Sequence, residues 1–519
     1  MALACLFAAA AAAQVAPGAL DVAITAGDAS RYTLSLDGRT WWRSQSPPSL
    51  RGQPLGPALT ANAPLRGADR LGSFALTQTI YRAGPHARVE LGVKVYDGLP
   101  LAVFSTRLPD GEPAVGGGAG EPAAESWSDP RLAPIIGFPS IPRRGAASEH
   151  AVSSARWLVW NQGQLGTTTG LQDVSSILQP STAGRFASDN FVASPIVLFD
   201  RASNGTLIIA PMDHFHGSLC RQQPGQPAWG CGVSNLVPAG TLPANFSSAF
   251  GVFGGTGGVT DTLHEWGQAM QRLLNTRRVR DLALTRLSFF TDNGYLLNAG
   301  GAVNGWATQA TLVDTLAKLA SSGVPIGLLQ LDDWWYNSPL TDSSHMVVAD
   351  AVGNETLFPH GLKGLYEALR RVQTGVALDI YANHFTATFG LLAAHPEIRT
   401  IDSLLYGYEG RLPAPADSKR FYSLLYEGWK EAGIRSSEID FMKDFVYNQS
   451  AFLRDPEGAR GWLEGMAEAA EAAEVTLQWC TVLGMDLLQA LRFPAVTNVR
   501  ASNDCKMVML SRIARCPSR

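Results

Sequence analysis

The stretch VTNVRASND, Val496 to Asp504, decides how the chain is read: a short β-branched strand that runs out into Arg500, Ser502, Asn503 and Asp504. Two other stretches have the same shape, LLQLDDWW (Leu328 to Trp335) and IDFMKDF (Ile439 to Phe445). Each is an apolar run read as a strand with carboxylates at its C-terminal end, and in a β/α barrel that end is the face where chemistry sits. The segments between them support a barrel. Strands LSFFTDNGY, PIGLLQLDDWW, VALDIYANHF, EIDFMKDFV, TLQWCTVLG and VTNVRASND alternate with helical segments such as TQATLVDTLAKLASSG, GLKGLYEALRRVQTG and GARGWLEGMAEAAEAA. Strand and helix in alternation predict βαβ units and a parallel sheet. About six strands fall before the chain ends, where a closed barrel has eight. The expectation is therefore a (β/α)8 barrel over 283–519 that is incomplete at its C-terminus.

Upstream the rhythm differs. Runs such as RYTLSLDG, GSFALTQTIYR, ARVELGVKVYDG, LAVFSTRL, PIVLFD and TLIIAP alternate apolar and polar residues between Gly, Pro, Asn and Asp. That spacing predicts an antiparallel β-sandwich over 20–275, closing on a connector helix at Thr262 to Asn275. The insert GEPAVGGGAGEPAAES, Gly111 to Ser126, is low in complexity and reads as a loop. Residues 1–19 have the apolar run and small residues of a signal peptide, without a basic start. Secretion, or delivery to an endomembrane or vacuolar lumen, is the matching expectation. Sequons at Asn204, Asn245, Asn354 and Asn448 are compatible with a glycoprotein. Of the 6 cysteines, Cys220 and Cys231 bracket a short loop as a disulfide would.

Composition bounds the partners. With 519 residues the chain needs more than one core. A net charge of -4 with scattered Lys and Arg gives no footprint for nucleic acid, and no run is long enough to insert into a membrane. Cys480, Cys505 and Cys516 lack His partners at metal-ligand spacing, so no metal is expected.

Asp332 and Asp333 at a strand end are suited to paired sugar hydroxyls, with an indole at Trp334 or Trp335 for the apolar face of a ring. Lys443 beside Asp444 would hold that carboxylate ionised, as a nucleophile requires, although alone the two read equally well as a surface ion pair. Asp504 closes the last strand. Two carboxyls from different strand ends of one bowl are what a retaining glycosidase needs. Asp292 and His384 are further candidates from the first and third strands, each with a plain structural alternative. Asp379 lies within its strand and reads as a core or supporting residue.

Taken together, FFTDNGY, LLQLDDWW, LFPHGLKGLYEAL, IDFMKDF and VRASND resemble the catalytic barrel of the α-galactosidase and raffinose-synthase group, glycoside hydrolase families 27 and 36. The resemblance covers about 220 residues and implies a retaining α-glycosidase acting on α-galactosyl linkages of an oligosaccharide or glycoconjugate, without cofactor. It implies Asp444 as nucleophile and Asp504 as acid/base, with Asp332, Asp333, Lys443 and Arg500 on the substrate hydroxyls. Where the group reads K-x-D at the fourth strand, this chain has Lys443 directly followed by Asp444. A strand-end bulge absorbs one residue of that kind. Transfer to a sugar acceptor, α-glucosidase specificity and a degenerate carbohydrate-binding protein are the alternatives.

Overall fold

The computed structural model describes residues 19–44, 48–61, 63–84, 87–113, 131–142, 156–159, 172–173, 195–222, 228–277, 279–291, 307–339, 347–405, 407–447 and 449–500. The leader, most of the Gly-rich insert, Asn448, Asp292, Cys505, Cys516 and Asp504 lie outside them.

The N-terminal half is β-rich. A ten-stranded antiparallel sheet carries, on one face, a three-stranded sheet of Leu20–Ile24, Tyr32–Leu36 and Arg39–Arg43, and a second of Ser140–Pro142, Ser218–Gln222 and Ala228–Val233. Strict alternation makes this possible: Tyr32, Leu34 and Leu36 are buried while Thr33 and Ser35 are partly open. One apolar core joins Leu34 and Trp42 of the small sheet to Val89, Val93 and Phe104 of the large one. The layers are thus unequal. Cys220 and Cys231 face each other across adjacent strands and form the expected disulfide.

After the last long strand, Phe246–Gly255, a helix spans Val259–Leu274 and stops at Asn275, which adopts the left-handed conformation. It buries Thr262, Trp266, Ala269 and Met270 on one side, the spacing of a helix face.

The C-terminal half is a parallel sheet of six strands in sequential order: β1 (Leu287–Phe289), β2 (Ile326–Leu331), β3 (Ala377–Tyr381), β4 (Ile434–Ile439), β5 (Thr476–Trp479) and β6 (Val496–Val499). The main crossover helices are α1 (Gln309–Ser321), α2 (Gly361–Val372), α3 (Ser418–Lys430), α4 (Met442–Tyr447), α5 (Gly458–Ala473) and α6 (Gly484–Ala490). Thr308 caps α1 by accepting from the Thr311 N–H at 3.3 Å. Helix α2 buries Leu362, Leu365, Ala368 and Leu369 against the sheet. All residues of β2 and β3 are buried, as expected of strands covered on both faces. Sequential parallel order with helical crossovers is a partial barrel. Among the described residues no helix is long and apolar enough to cross a membrane.

One element departs from expectation. EIDFMKDFV is not a single strand: β4 begins at Ile434 and ends at Ile439, and Phe441 takes a left-handed backbone (φ 54°) that turns the chain into α4. Met442, Phe445 and Val446 are buried at helical, not strand, spacing. A hairpin of Thr400–Leu405 and Tyr408–Pro413 is also inserted between β3 and α3, where a crossover helix alone was expected.

Candidate active site

Polar residues inside an otherwise apolar sheet mark the site. Gln330 in β2, Asp379 in β3 and Ser436, Ser437 and Glu438 in β4 are all buried. Beyond the C-terminal ends of the strands come Thr291, Asp332 and Asp333, Asn383 and His384, Asp440, Cys480 and Thr481, and Arg500. These cluster on the face where a barrel does its chemistry.

Hydrogen bonds fix the base of the bowl. The Thr291 N–H donates to Gln330 Oε1 at 3.0 Å, which settles the amide orientation. Gln330 Nε2 must then face two carboxyls, and it donates to Asp332 Oδ2 at 2.6 Å and Glu438 Oε2 at 3.0 Å. Asp332 Oδ1 accepts from the Asp333 N–H at 2.8 Å. Its own N–H donates to Thr291 Oγ1 at 3.1 Å, as does Trp334 Nε1.

Asp440 is the carboxylate at the end of β4. It accepts from its neighbour's N–H at Phe441 (2.7 Å) and from the Thr481 hydroxyl. Arg500 approaches Asp440 Oδ1 at 4.0 Å and donates to Thr481 Oγ1 at 2.8 Å. The Asp440 side chain is 16% exposed, so one edge stays open to a ligand. Its carbonyl accepts from Asn383 Nδ2. One oxygen of Glu438, one of Asp440 and Cys480 Sγ lie within 4.8 Å of one another. Burial, then the nearby Glu438 and Asp440, push the Cys480 thiol far up.

Burial, reinforced by Asp332, Asp440 and Asp379, also drives the Glu438 carboxyl well above the carboxylate range. Asp379 is pushed up to about 7, mainly by burial. Tyr381 and Tyr336 are wholly buried, and burial, with Asp333 and Asp332 nearby, raises both phenols well above 10.

Several expectations need correction. Asp444 does not close a strand: it lies in the first turn of α4, one helical turn past Asp440, with its N–H on the Phe441 carbonyl at 2.9 Å. Lys443 is on the same helix, so the pair is not the strand-end motif. Trp334 is fully buried, stacked on Phe358 with ring centroids 5.8 Å apart, and presents no face to a sugar. His384 is likewise fully buried, its ring 5.5 Å from Phe445 and against Gly410 of the hairpin. Asp332, Asp333 and Arg500 do stand at strand ends on this face. Asp292 and Asp504 lie outside the described residues.

Asp440 and Glu438 are the residues the motif reading passed over. The signal was present in the spacing: Glu438-Ile439-Asp440 matches the x-D register of K-x-D without any bulge, with Glu in the place of Lys. Gln330, Thr481 and Cys480 carried no comparable signal.

No family model matches the sequence, and no curated protein matches it. Solved structures do. A variant of the GH36 α-galactosidase AgaA from Geobacillus stearothermophilus, in complex with 1-deoxygalactonojirimycin, superposes with a TM-score of 0.51 at 12% identity over 88% of this chain and 60% of that one. A second AgaA variant, in complex with stachyose, gives 0.50 at 12% identity over 86% and 61%. The α-galactosidase from Lactobacillus brevis gives 0.51 at 11% identity over 87% and 59%. This chain therefore spans about three fifths of the length of these proteins. At such identities the likeness is one of fold, and the fold is that of an α-galactosidase-like glycoside hydrolase.

Proposed function

We propose that the chain is the catalytic part of a retaining α-glycosidase acting on α-galactosyl linkages of oligosaccharides, with Asp440 as nucleophile. The observation that carries this reading is the placement of Asp440. It is an open-edged carboxylate at the end of the fourth strand, oriented by Thr481, near Arg500, on the rim that also holds Asp332 and Asp333. The α-galactosyl preference draws on the fold neighbours, whose ligands include 1-deoxygalactonojirimycin and stachyose.

In this reading a carboxylate oxygen of Asp440 attacks the anomeric carbon while the glycosidic C–O bond breaks and an acid protonates the leaving oxygen. Asp504, four residues past Arg500, is the proposed acid. Water, deprotonated by the same group, then cleaves the glycosyl ester and restores both carboxyls with net retention. Asp332 and Asp333 accept from the sugar hydroxyls. Thr481 and Arg500 keep Asp440 aimed.

The test is hydrolysis of aryl α-galactoside and α-glucoside by the purified chain and by D440N, D444N and D504N. D440N is expected to lose at least ~10³-fold in kcat, the scale of removing a nucleophile, while D444N stays within about tenfold. Trapping with a 2-deoxy-2-fluoro glycosyl donor, followed by peptide mass analysis, should label Asp440. A label on Asp444, or full activity of D440N, would sink the assignment.

A further inference from the structure

Glu438 and Asp440 are two residues apart at the end of β4, so their side chains leave the same face of the sheet. They are close: a Glu438 oxygen and an Asp440 oxygen lie within 4.8 Å. Glu438 is 3% exposed. The charged or titratable groups turned toward it are Asp332 from the end of β2, Asp379 from β3, Asp440 from its own strand and the Cys480 thiol from the end of β5. Arg500, after β6, donates to Thr481 and approaches Asp440 Oδ1 at 4.0 Å. Among the described residues no Lys or Arg forms an ion pair with Glu438. Its fixed partner is the neutral Gln330 amide, shared with Asp332.

We propose that Glu438 is a positioning residue that acts as a neutral carboxylic acid, holding Gln330 and Asp332 in place and leaving a single negative charge on the Glu438–Asp440 pair. Of two carboxyls this close, the buried one is the one that keeps its proton when no cation lies between them. Burial and the three neighbouring acids push Glu438 in the same direction as that geometry requires. A protonated Glu438 has one O–H to donate, where an ionised one would only accept. It thereby does with a neutral donor what a Lys at this register would do with a charged one. Ionisation would add a second negative charge behind the nucleophile and leave Glu438 with no O–H to donate.

The role in catalysis rests on reading Asp440 as nucleophile; the protonation state does not. Infrared difference spectroscopy of the intact chain separates the two. At a pH of about 8, where documented buried Glu residues are still protonated, the wild type should show a carboxylic-acid C=O band that E438Q lacks and D379N retains. In steady-state assays E438A should lower kcat by tenfold or more with KM little changed. E438Q, an isostere that is always neutral, should restore most of that loss and flatten the alkaline limb of the kcat profile. An acid band unchanged in E438Q overturns the proposal, as does E438Q as impaired as E438A at every pH. If no variant or wild type hydrolyses any glycoside, the band still decides whether Glu438 is protonated, and only the glycosidase reading falls.

Discussion

Thr481 shows how much one side chain does in this site. Its hydroxyl donates to Asp440 and accepts from Arg500 at 2.8 Å, so it relays the guanidinium's direction to the carboxylate without a direct ion pair at contact distance. The residue has a left-handed backbone (φ 47°), unusual for a β-branched side chain, and that conformation points the hydroxyl into the bowl. Val in its place keeps shape and backbone while removing the relay. T481V is expected to reduce kcat roughly tenfold, the equivalent of about 1.4 kcal/mol for one lost charge-assisted hydrogen bond, with circular dichroism and melting little changed. An unchanged kcat would mean that Asp440 needs no such tether. At this scale the sequence was only partly readable. Asp332, Asp333 and Arg500 could be placed at strand ends because a strand end announces itself by a polar residue after an apolar run. Glu438 was missed because a buried carboxyl inside a strand looks, in sequence, like one more exposed position.

At the scale of elements, the strand-to-helix switch after β4 explains why the end of the fourth strand was placed at Asp444, four residues too late. Phe441, Met442, Phe445 and Val446 are as apolar as a strand requires, and only the spacing of the buried ones reveals a helix. Six residues are too few for that period to stand out. The alternation of strands and long helices was legible because each helix is two turns or more and carries a clear apolar face. The hairpin Thr400–Pro413 was not, since its burial does not follow its apolar residues: Leu404 is exposed while Ser403 and Gly410 are buried. It is nonetheless tightly seated: a Cβ on Gly410 would run into His384 Nε2, and that ring is fully buried. G410A must therefore move the ring or lift the hairpin. It is expected to destabilise the protein by about 1–3 kcal/mol, the usual cost of overpacking, seen as a lower denaturant midpoint. Gly407, in the turn (φ 92°) with open space around it, makes the comparison informative. G407A adds backbone strain without a clash and should cost less.

On the scale of the whole molecule, the segment Met212–Gly217 of the β-rich half ties itself to the barrel half through two histidines. His216 Nε2 lies 2.8 Å from Asp486 Oδ1 in the first turn of α6, with both side chains buried. His214 Nδ1 lies 2.6 Å from Glu457 Oε1, just before α5, while its Nε2 donates to the Ser247 carbonyl at 2.8 Å. Both nitrogens of His214 therefore face acceptors, which is the pattern of an imidazolium. Burial alone would lower its pKa, but Glu457 and Asp213 outweigh burial and raise it above 6.5. His214 in turn holds Glu457 below 4.5 against burial. Burial raises Asp213 above its ordinary value. A raised His contributes stability that is fully present below 6.5 and is lost as pH rises through the folded value. A depressed Glu contributes stability that is present above 4.5 and is lost as pH falls through its folded value. A raised Asp is a cost that grows as the unfolded carboxyl ionises, so it adds to the decline toward alkaline pH. The three together place the strongest joint between the halves in the mildly acidic window from 4.5 to 6.5. Melting followed by calorimetry should accordingly peak in that window and fall by roughly 2–4 °C toward alkaline pH, the response of a large domain to about 1 kcal/mol. H214Q keeps a donor but carries no titrating charge, so its melting temperature should lose that alkaline slope while matching the wild type above it. A slope that persists unchanged in H214Q would locate the pH dependence elsewhere and leave the His214–Glu457 contact as a neutral seam between the two halves.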